Sequence, residues 1–180
     1  IEVLVHSFFV IPFIIAVFGV LFFFMWKILA DESDSAQDYL NEIKVGSATK
    51  RWQSAFELAK ILGNPELVPK NDKFVNELKM VYRNSIHDDP QVRTYLALAM
   101  GATGSSVYGE VLLEGLGDEN IQSKISSMVS LGQIKYKESI PLIRPFLEKS
   151  IADDLRLTSV MSLGMMKDTT PINDFLPLLD

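Results

Sequence analysis

Three stretches of the sequence align without gaps on a glycine, and this repetition constrains the fold more than any other feature. They are DPQVRTYLALAMG, NIQSKISSMVSLG and ADDLRLTSVMSLG, which end at Gly101, Gly132 and Gly164 with spacings of 31 and 32 residues. A period in this range is typical of stacked repeats, in which each segment buries its apolar face only against its neighbours. The sequence therefore predicts an array of similar structural repeats.

Each segment has the composition of a helix that begins after acidic residues and ends at its glycine. Acidic side chains favour a helix N-terminus, and glycine favours the C-terminal cap. Two of the segments are followed by a second apolar stretch, SIPLIRPFLEKS and TPINDFLPLL, with Pro141 and Pro171 in its first turn. Leu116, Leu147 and Leu179 occupy equivalent positions near the ends of the second stretches. The sequence thus predicts helical hairpins.

Before these segments, the pattern predicts a diverged first hairpin and a preceding helix. The hairpin covers Thr49 to Leu62 and Asp72 to Ile86, and the preceding helix covers Asp34 to Val45. First members of a repeat array are often atypical because they close the stack. The stretch ATGSSVYGEVLLEGLG after Gly101 is rich in glycine, and each internal glycine costs ~1 kcal/mol relative to alanine. Its second helix is therefore expected to be short and loosely held.

The beginning of the chain has a different character. Phe8 to Trp26 is a run of 19 residues without a charged side chain, long enough to predict a membrane-spanning helix. The apolar character continues to Leu29, so we expect contact with the lipid bilayer along Phe8 to Leu29. Trp26 and Lys27 are residue types that suit the membrane interface. A cleaved signal peptide and a buried helix of a globular core are the alternatives.

These features predict an all-α protein in which one N-terminal transmembrane helix precedes an α-solenoid. The expected regions are an anchor at residues 1–30, an acidic connector and linking helix at 31–47, and a solenoid at 48–180. The solenoid should contain about four hairpins and continue beyond residue 180. Lys27 and Lys44 follow the span while no Lys or Arg precedes it, which favours a single-pass membrane protein with a cytoplasmic solenoid.

The repeated pattern D-x-x-[VIL]-[RK]-x-x-x-x-x-x-L-G, followed by a helix that begins near proline, resembles HEAT repeats of the short, phycobilisome-lyase-like type. The resemblance covers Asp88 to Asp180. It implies a stack of helical hairpins and leaves the function open, because such repeats serve scaffolds, chaperones, transporter accessories and pigment-attachment enzymes. Eight residues before each glycine stands a base, namely Arg93, Lys124 and Arg156. The resemblance implies a structural ladder that pairs with acids of adjacent repeats; a basic surface for an acidic partner is the alternative.

Composition excludes several classes of chemistry. The chain has no cysteine, which excludes disulfide scaffolds, thiolate zinc sites, iron–sulfur clusters and cysteine nucleophiles. A net charge of −6 argues against nucleic-acid binding, which requires a basic face. Gly101 to Ser106 lacks the Gly-Lys-Ser/Thr of a nucleotide-binding loop. We therefore expect no catalytic residue, no metal and no cofactor.

Two clusters are candidates for a functional role. His87, with Asp88 and Asp89 beside it, is the one candidate base after the apolar run, although a turn with helix-capping acids is the simpler interpretation. Lys50, Arg51 and Trp52 form a basic and aromatic cluster, and such residues are typical contacts with a protein partner. A core position for the tryptophan is the alternative.

The expected function is a non-catalytic, membrane-anchored scaffold or accessory subunit. It would bind other subunits of a larger membrane protein complex, such as a transporter, a respiratory assembly or a photosynthetic one. The first alternative is a bilin-lyase-like enzyme that handles a tetrapyrrole in the solenoid groove. A second is a periplasmic binding module released from a signal peptide.

Overall fold

The computed structural model describes residues 2–30 and 35–168, with side chains for 10–26 and 35–168. Within these residues the regular structure is helical and contains no strand, which confirms the all-α prediction. The described α-helices are α1 (Glu2–Ala30), α2 (Ala36–Val45), α3 (Ala48–Ile61), α4 (Asp72–Asn84), α5 (Pro90–Ala102), α6 (Gly109–Glu114), α7 (Ile121–Gln133), α8 (Ile140–Ile143) and α9 (Asp153–Met165). The chain forms two compact units, Ile1–Asp34 and Ser35–Asp180.

The first unit contributes α1, and here the structure corrects the sequence analysis. A spanning helix requires ~20 consecutive, predominantly apolar residues. Of the helices in the described part of the chain, none combines the length and the apolarity needed to cross a membrane. The prediction of a single-pass membrane protein is therefore wrong. The anchor region at residues 1–30, the lipid contact along Phe8 to Leu29 and the interface residues Trp26 and Lys27 stay predictions from the sequence. The side chain of Lys27 lies outside the described residues.

In the second unit, helices α2 to α4 begin where their sequences provide a cap. The Ser35 hydroxyl accepts the N–H of Asp38, and the Asp38 carboxylate accepts the N–H of Ser35, which forms a capping box. The amide oxygen of Asn71 accepts the N–H of Phe74 at 2.7 Å at the start of α4. Local polar residues thus set helix starts close to the predicted ones.

The ends of α5, α7 and α9 differ from the prediction that each helix ends at its glycine. Each helix runs one residue past the glycine, and the chain turns two residues later at Gly104, Lys135 and Lys167, whose φ angles are +66°, +54° and +59°. After two of these turns an N–H bonds back to the fifth preceding carbonyl, from Tyr136 to Leu131 and from Asp168 to Leu163, at 3.0 Å each. This is the Schellman pattern, and it recurs at a constant distance from the glycine.

The helices of the second unit pack in two layers. The first layer consists of α3, α5, α7 and α9, each packed against the next, with α2 packed against α3. The second layer consists of α4, α6 and α8, which pack against α5, α7 and α9 respectively. The main contacts therefore join elements that are close in sequence, and the buried core is extended along the series.

Glycines of the repeated pattern lie where first-layer helices approach closely. A Cβ at Gly101 would lie 2.5 Å from the Ser130 Oγ, and a Cβ at Gly132 would lie 2.9 Å from the Ser162 Cα. Both distances are too short for a real Cβ, so a side chain at either position would push neighbouring helices apart. Among the described residues, no atom lies within 4 Å of the corresponding point at Gly164 on α9.

The second-layer helices α6 and α8 are short and are flanked by 3-10 turns. The single helix predicted for SIPLIRPFLEKS is divided into α8 and the 3-10 turn Arg144–Leu147, because Pro145 has no N–H to continue an α-helix. Helix α6 is short as expected, but it is not loosely held: a Cβ at Gly109 would overlap the Tyr136 ring, and one at Gly115 would overlap Ser127. The predicted helix that includes Pro171 and Leu179 lies outside the described residues.

Candidate functional site

A cleft of about 500 Å³ opens beside the turns that lead into α5 and α7. It contains several of the residues that the sequence analysis selected, including His87, Asp88 and Arg93. Its lining residues are Ser85, Ile86, His87, Asp88, Pro90, Arg93, Glu114, Gly117, Asp118, Glu119, Asn120 and Ser123. This cleft is the candidate functional site, and its polar groups decide what chemistry it supports.

Arg93 lies in the wall of the cleft and joins α5 to the turn before α7. Its Nε donates to the Asp118 Oδ2 at 2.6 Å and its Nη2 donates to Oδ1 at 2.9 Å, while Nη1 donates to the Tyr82 carbonyl at 2.7 Å. The side chains of Arg93 and Asp118 are each only 5% exposed. A buried ion pair requires such complete hydrogen bonding to offset the loss of hydration.

The charge of Arg93 is further supported by the ring beneath it. The guanidinium carbon lies 4.1 Å from the centroid of the Tyr82 ring, which is a cation–π contact. Burial by itself would lower the pKa of Arg93, but its hydrogen bonds to Asp118 and the nearby charges outweigh burial and raise the pKa. Arg93 therefore stays charged and bound to its partner, and it does not exchange protons near neutral pH.

Tyr82 connects the ion pair to a second buried contact. Its hydroxyl lies 2.9 Å from the Ser127 Oγ on α7, so a hydrogen bond joins α4 to α7. Burial raises the pKa of Tyr82 to about 12. The phenol is therefore protonated under ordinary conditions and acts as a structural hydrogen-bonding group.

His87 and the two acids beside it do not form a catalytic arrangement. Asp88 makes an ion pair with Arg51 and accepts the N–H of Asp89 at 2.9 Å, while Asp89 caps α5 by accepting the N–H of Gln91. His87 is exposed, and no described residue hydrogen-bonds to its ring. A general base needs a partner that orients it, and neither acid serves that purpose.

The candidate partner contacts Lys50, Arg51 and Trp52 point to different neighbours. Lys50 Nζ lies 3.1 Å from a Glu42 carboxylate oxygen, and Trp52 packs against the core while remaining partly exposed. Arg51 donates from Nε to the Ile43 carbonyl at 2.7 Å and makes the ion pair with Asp88. Adjacent positions on a helix face different directions, so the cluster in sequence does not make one patch in space.

The three bases of the repeated pattern also make three different contacts. Arg93 pairs with the acid before the next first-layer helix, whereas Lys124 Nζ lies 5.6 Å from the centroid of the Phe146 ring. Arg156 Nη1 donates to Asp153 on its own helix at 2.9 Å, and its Nε is buried without a hydrogen-bond partner in the described structure. Equal spacing therefore places these residues at equivalent positions of their helices, but their interaction partners differ.

Sequence reasoning missed that Arg51 also bonds to an acid leading the next first-layer helix. It reaches Asp88 before α5 as Arg93 reaches Asp118 before α7, although Ala55 stands at the aligned position on α3. A base one helical turn before the aligned position was the only sequence signal. The pattern tolerates a shift of one turn because side chains four residues apart lie on the same face.

No other described cluster offers a clear reaction site. Gly101 to Ser106 forms a turn in which the Thr103 hydroxyl donates to the Met100 carbonyl at 2.7 Å. Within the described residues, no group of three or more histidine or acidic side chains is placed to hold a metal ion.

Comparison with protein-family models finds no match, and comparison with curated proteins finds no similar sequence.

Proposed function

We propose that this chain is a non-catalytic binding protein, an α-solenoid of HEAT-like repeats that acts as a scaffold or accessory subunit in a larger protein assembly. Support for the repeat assignment comes from the serial packing of α3, α5, α7 and α9 and from the constant position of the turn after each glycine. Support for a non-catalytic role comes from the cleft, where Arg93 and both Asp88 and Asp118 take part in ion pairs between elements of the fold.

The observation that carries the binding role is an aromatic pair on the first layer. The rings of Phe56 on α3 and Tyr95 on α5 meet edge to face, with centroids 5.3 Å apart and an interplanar angle of 73°. Phe56 remains 43% exposed, although a large aromatic side chain is stabilised by burial. Tyr95 also lines a depression of about 310 Å³ between α5 and the start of α7. An exposed aromatic ring that packs on a partly buried tyrosine beside a depression is typical of residues that dominate protein interfaces.

The test is affinity capture with the full chain from extracts of its source, comparing wild type with the double substitution Phe56→Ser and Tyr95→Ser. Met80→Ser is the matched control, because Met80 is also exposed but lies on α4. We expect a stoichiometric protein partner that wild type and the Met80 variant retain and the double variant loses. A partner retained equally by all three contradicts the assigned surface. A change in the absorption of added bilin would favour the pigment-handling alternative instead.

A further inference from the structure

Helix α9 carries on its outer side the same glycine that brings earlier first-layer helices together. Gly101 of α5 faces Ser130 of α7, and Gly132 of α7 faces Ser162 of α9, both at distances that exclude a side chain. Gly164 is the aligned residue of α9, and no atom of the described residues lies within 4 Å of the point where its Cβ would be. The repeat glycine contacts the next first-layer helix in α5 and in α7. It is present again in α9, where no described helix packs against it.

Apolar side chains on α9 surround this open glycine. Leu157 is 62% exposed and Met161 is 51% exposed, at seven and three residues before Gly164. The aligned residues of α7, Ile125 and Val129, are only partly exposed. Together, Leu157, Met161 and Gly164 form what we call the open face of α9. Burial of these apolar side chains under another helix would be favourable, because it removes apolar surface from water.

Arg156 on α9 indicates that a helix covering this face would bring an acidic side chain with it. Arg156 aligns with Arg93, whose Nε and Nη2 both bind the carboxylate of Asp118 in the turn before α7. In Arg156 only Nη1 has an acid partner, the highly exposed Asp153, and the buried Nε has none within the described structure. A buried unpaired donor is costly, and a carboxylate placed like that of Asp118 would satisfy it.

We propose that the open face of α9 binds a helix of a partner protein that resembles α7: an acidic residue in the turn before it, for Arg156, and a small residue such as serine opposite Gly164. This inference rests on the proposed scaffold function and gives it a second surface, separate from the Phe56 and Tyr95 pair. Three features of α9 would fit such a helix: its alignment with the helices of the α5–α7 and α7–α9 contacts, its exposed apolar side chains and the unpaired Nε of Arg156.

The first experiment uses a synthetic peptide of residues 118–135, which contains Asp118 and α7, as the probe. Its binding to the full chain is measured by fluorescence anisotropy. We expect saturable binding that Gly164→Leu weakens by about tenfold or more, because a large side chain blocks close approach. Asn76→Leu is the matched control and leaves binding unchanged, since Asn76 is also an exposed helical position but lies on α4.

The acidic contact is tested with a double-mutant cycle. Asp118→Asn in the peptide should weaken its binding to wild-type protein, and Arg156→Met in the protein should weaken binding of the unchanged peptide. If the two groups meet, combining both changes costs little more than either alone. Fully additive losses would overturn the assigned contact.

Because an isolated peptide of this length is marginally helical, a covalent test accompanies it. A copy of residues 119–150 is appended directly after Asp180, and the unfolding midpoint is measured with and without Gly164→Leu. We expect Gly164→Leu to lower the midpoint of the extended chain but not that of the original chain. Equal effects in both chains, together with no peptide binding, would overturn the proposal.

Two further outcomes would replace the proposed occupant. Light scattering that shows a dimer dissociated by Gly164→Leu would assign the open face to a second copy of this chain. Peptide binding that appears only after removal of residues 169–180 would assign it to the chain's own C-terminal segment. The capture experiment with the Phe56 and Tyr95 variant is independent of both, so the binding function and the α9 inference fail separately.

Discussion

The junction between α5 and α7 and the junction between α7 and α9 follow the same plan but differ in how completely their polar groups are bonded. At the α5–α7 junction, Arg93 forms its buried ion pair with Asp118, and the Ser130 Oγ donates to the Ala97 carbonyl at 2.8 Å. Every polar side chain named here has a partner on a neighbouring element. This junction is held both by close packing and by directional bonds.

At the α7–α9 junction, the aligned residues contribute much less. Lys124 stands in the place of Arg93 and lies over the Phe146 ring, and no carboxylate of the described residues forms an ion pair with it. Ser162 aligns with Ser130, but its Oγ is buried without a hydrogen-bond partner in the described structure. The repeat period thus determines which positions of neighbouring helices meet, while the residue types at those positions determine how strongly the helices are bonded to each other.

The largest expected effect comes from breaking the ion pair of the α5–α7 junction. Arg93→Met should cost ~3–5 kcal/mol in the free energy of unfolding, because Asp118 would remain buried without its partner. Lys124→Met is the matched control at the other junction and should cost no more than ~1 kcal/mol, the range of a surface cation–π contact. Urea denaturation of both variants measures the difference. Equal losses would show that the two junctions do not differ in this respect.

The next effect is a loss of stability at alkaline pH. Burial raises the pKa values of Tyr82 and Tyr108 from 10.0 to about 12. Between these values the unfolded chain releases the phenolic protons while the folded chain keeps them. The stabilisation is therefore complete below pH 10 and is lost as the pH rises through about 12. Each tyrosine should contribute ~2–3 kcal/mol to this loss.

Urea denaturation at a series of pH values between 9 and 12 measures the alkaline effect. Tyr82→Phe should be less stable than wild type at neutral pH, because the bond to Ser127 is lost, yet its stability should fall less steeply above pH 10. Tyr95→Phe, a partly exposed ring, should keep the wild-type slope. A Tyr82→Phe slope equal to that of wild type would contradict the buried, protonated phenol.

A smaller effect separates the occupied glycines from the open one. Gly101→Ala and Gly132→Ala should each cost ~1–3 kcal/mol, because the added methyl overlaps the facing helix. Gly164→Ala should instead increase stability by up to ~1 kcal/mol, since alanine favours a helix and no described atom lies near the added methyl group. Thermal unfolding of the three variants gives the sign of each change. A destabilised Gly164→Ala variant would contradict the open face of α9.

The smallest expected effect concerns the two aligned serines. Ser130→Ala should cost ~1 kcal/mol because it removes the bond to the Ala97 carbonyl, whereas Ser162→Ala should be neutral or stabilising because its hydroxyl is unpaired. Chemical denaturation of both variants, run side by side, measures the difference. Equal destabilisation would show that Ser162 has a partner, and the two junctions would then be equivalent in their serine contacts.

The helical class and most helix starts were predictable from sequence because they depend on local chemistry. Ser35, Asn71 and Asp89 cap their helices with their own side chains, and these bonds involve residues only two or three positions apart. The spacing of 31 and 32 residues was enough to align α5, α7 and α9 before their packing was known. Local signals of this kind do not depend on tertiary contacts.

The role of the repeat glycines could not be settled in the same way. A glycine that ends a helix and one that permits close approach of another helix both lack a Cβ, so the sequence pattern is the same for both. The structure assigns Gly101 and Gly132 to close approach and places the turn three residues later. In the same way, Gly109 and Gly115 suggested a loose α6 but accommodate Tyr136 and Ser127.

The partners of charged residues were the least predictable part of the candidate site. Arg51 and Arg93 bond to acids 37 and 25 residues away, distances that no local pattern specifies. The single-pass prediction for Phe8 to Leu29 was wrong, since no described helix meets the requirements for length and apolarity together. The proposed binding surfaces on α3, α5 and α9 rest on side-chain exposure, which the sequence does not specify.

The constant distance between each repeat glycine and its left-handed turn also limits how the chain can be edited. Deleting residues 102–132 would join Gly101 directly to the turn that normally follows Gly132, and every later helix would keep its angular position. Deleting a single residue within a first-layer helix would rotate everything after it by about 100° relative to its neighbour. Loss of a full repeat is therefore expected to preserve the packing of the later helices, whereas loss of a single residue is expected to disrupt it.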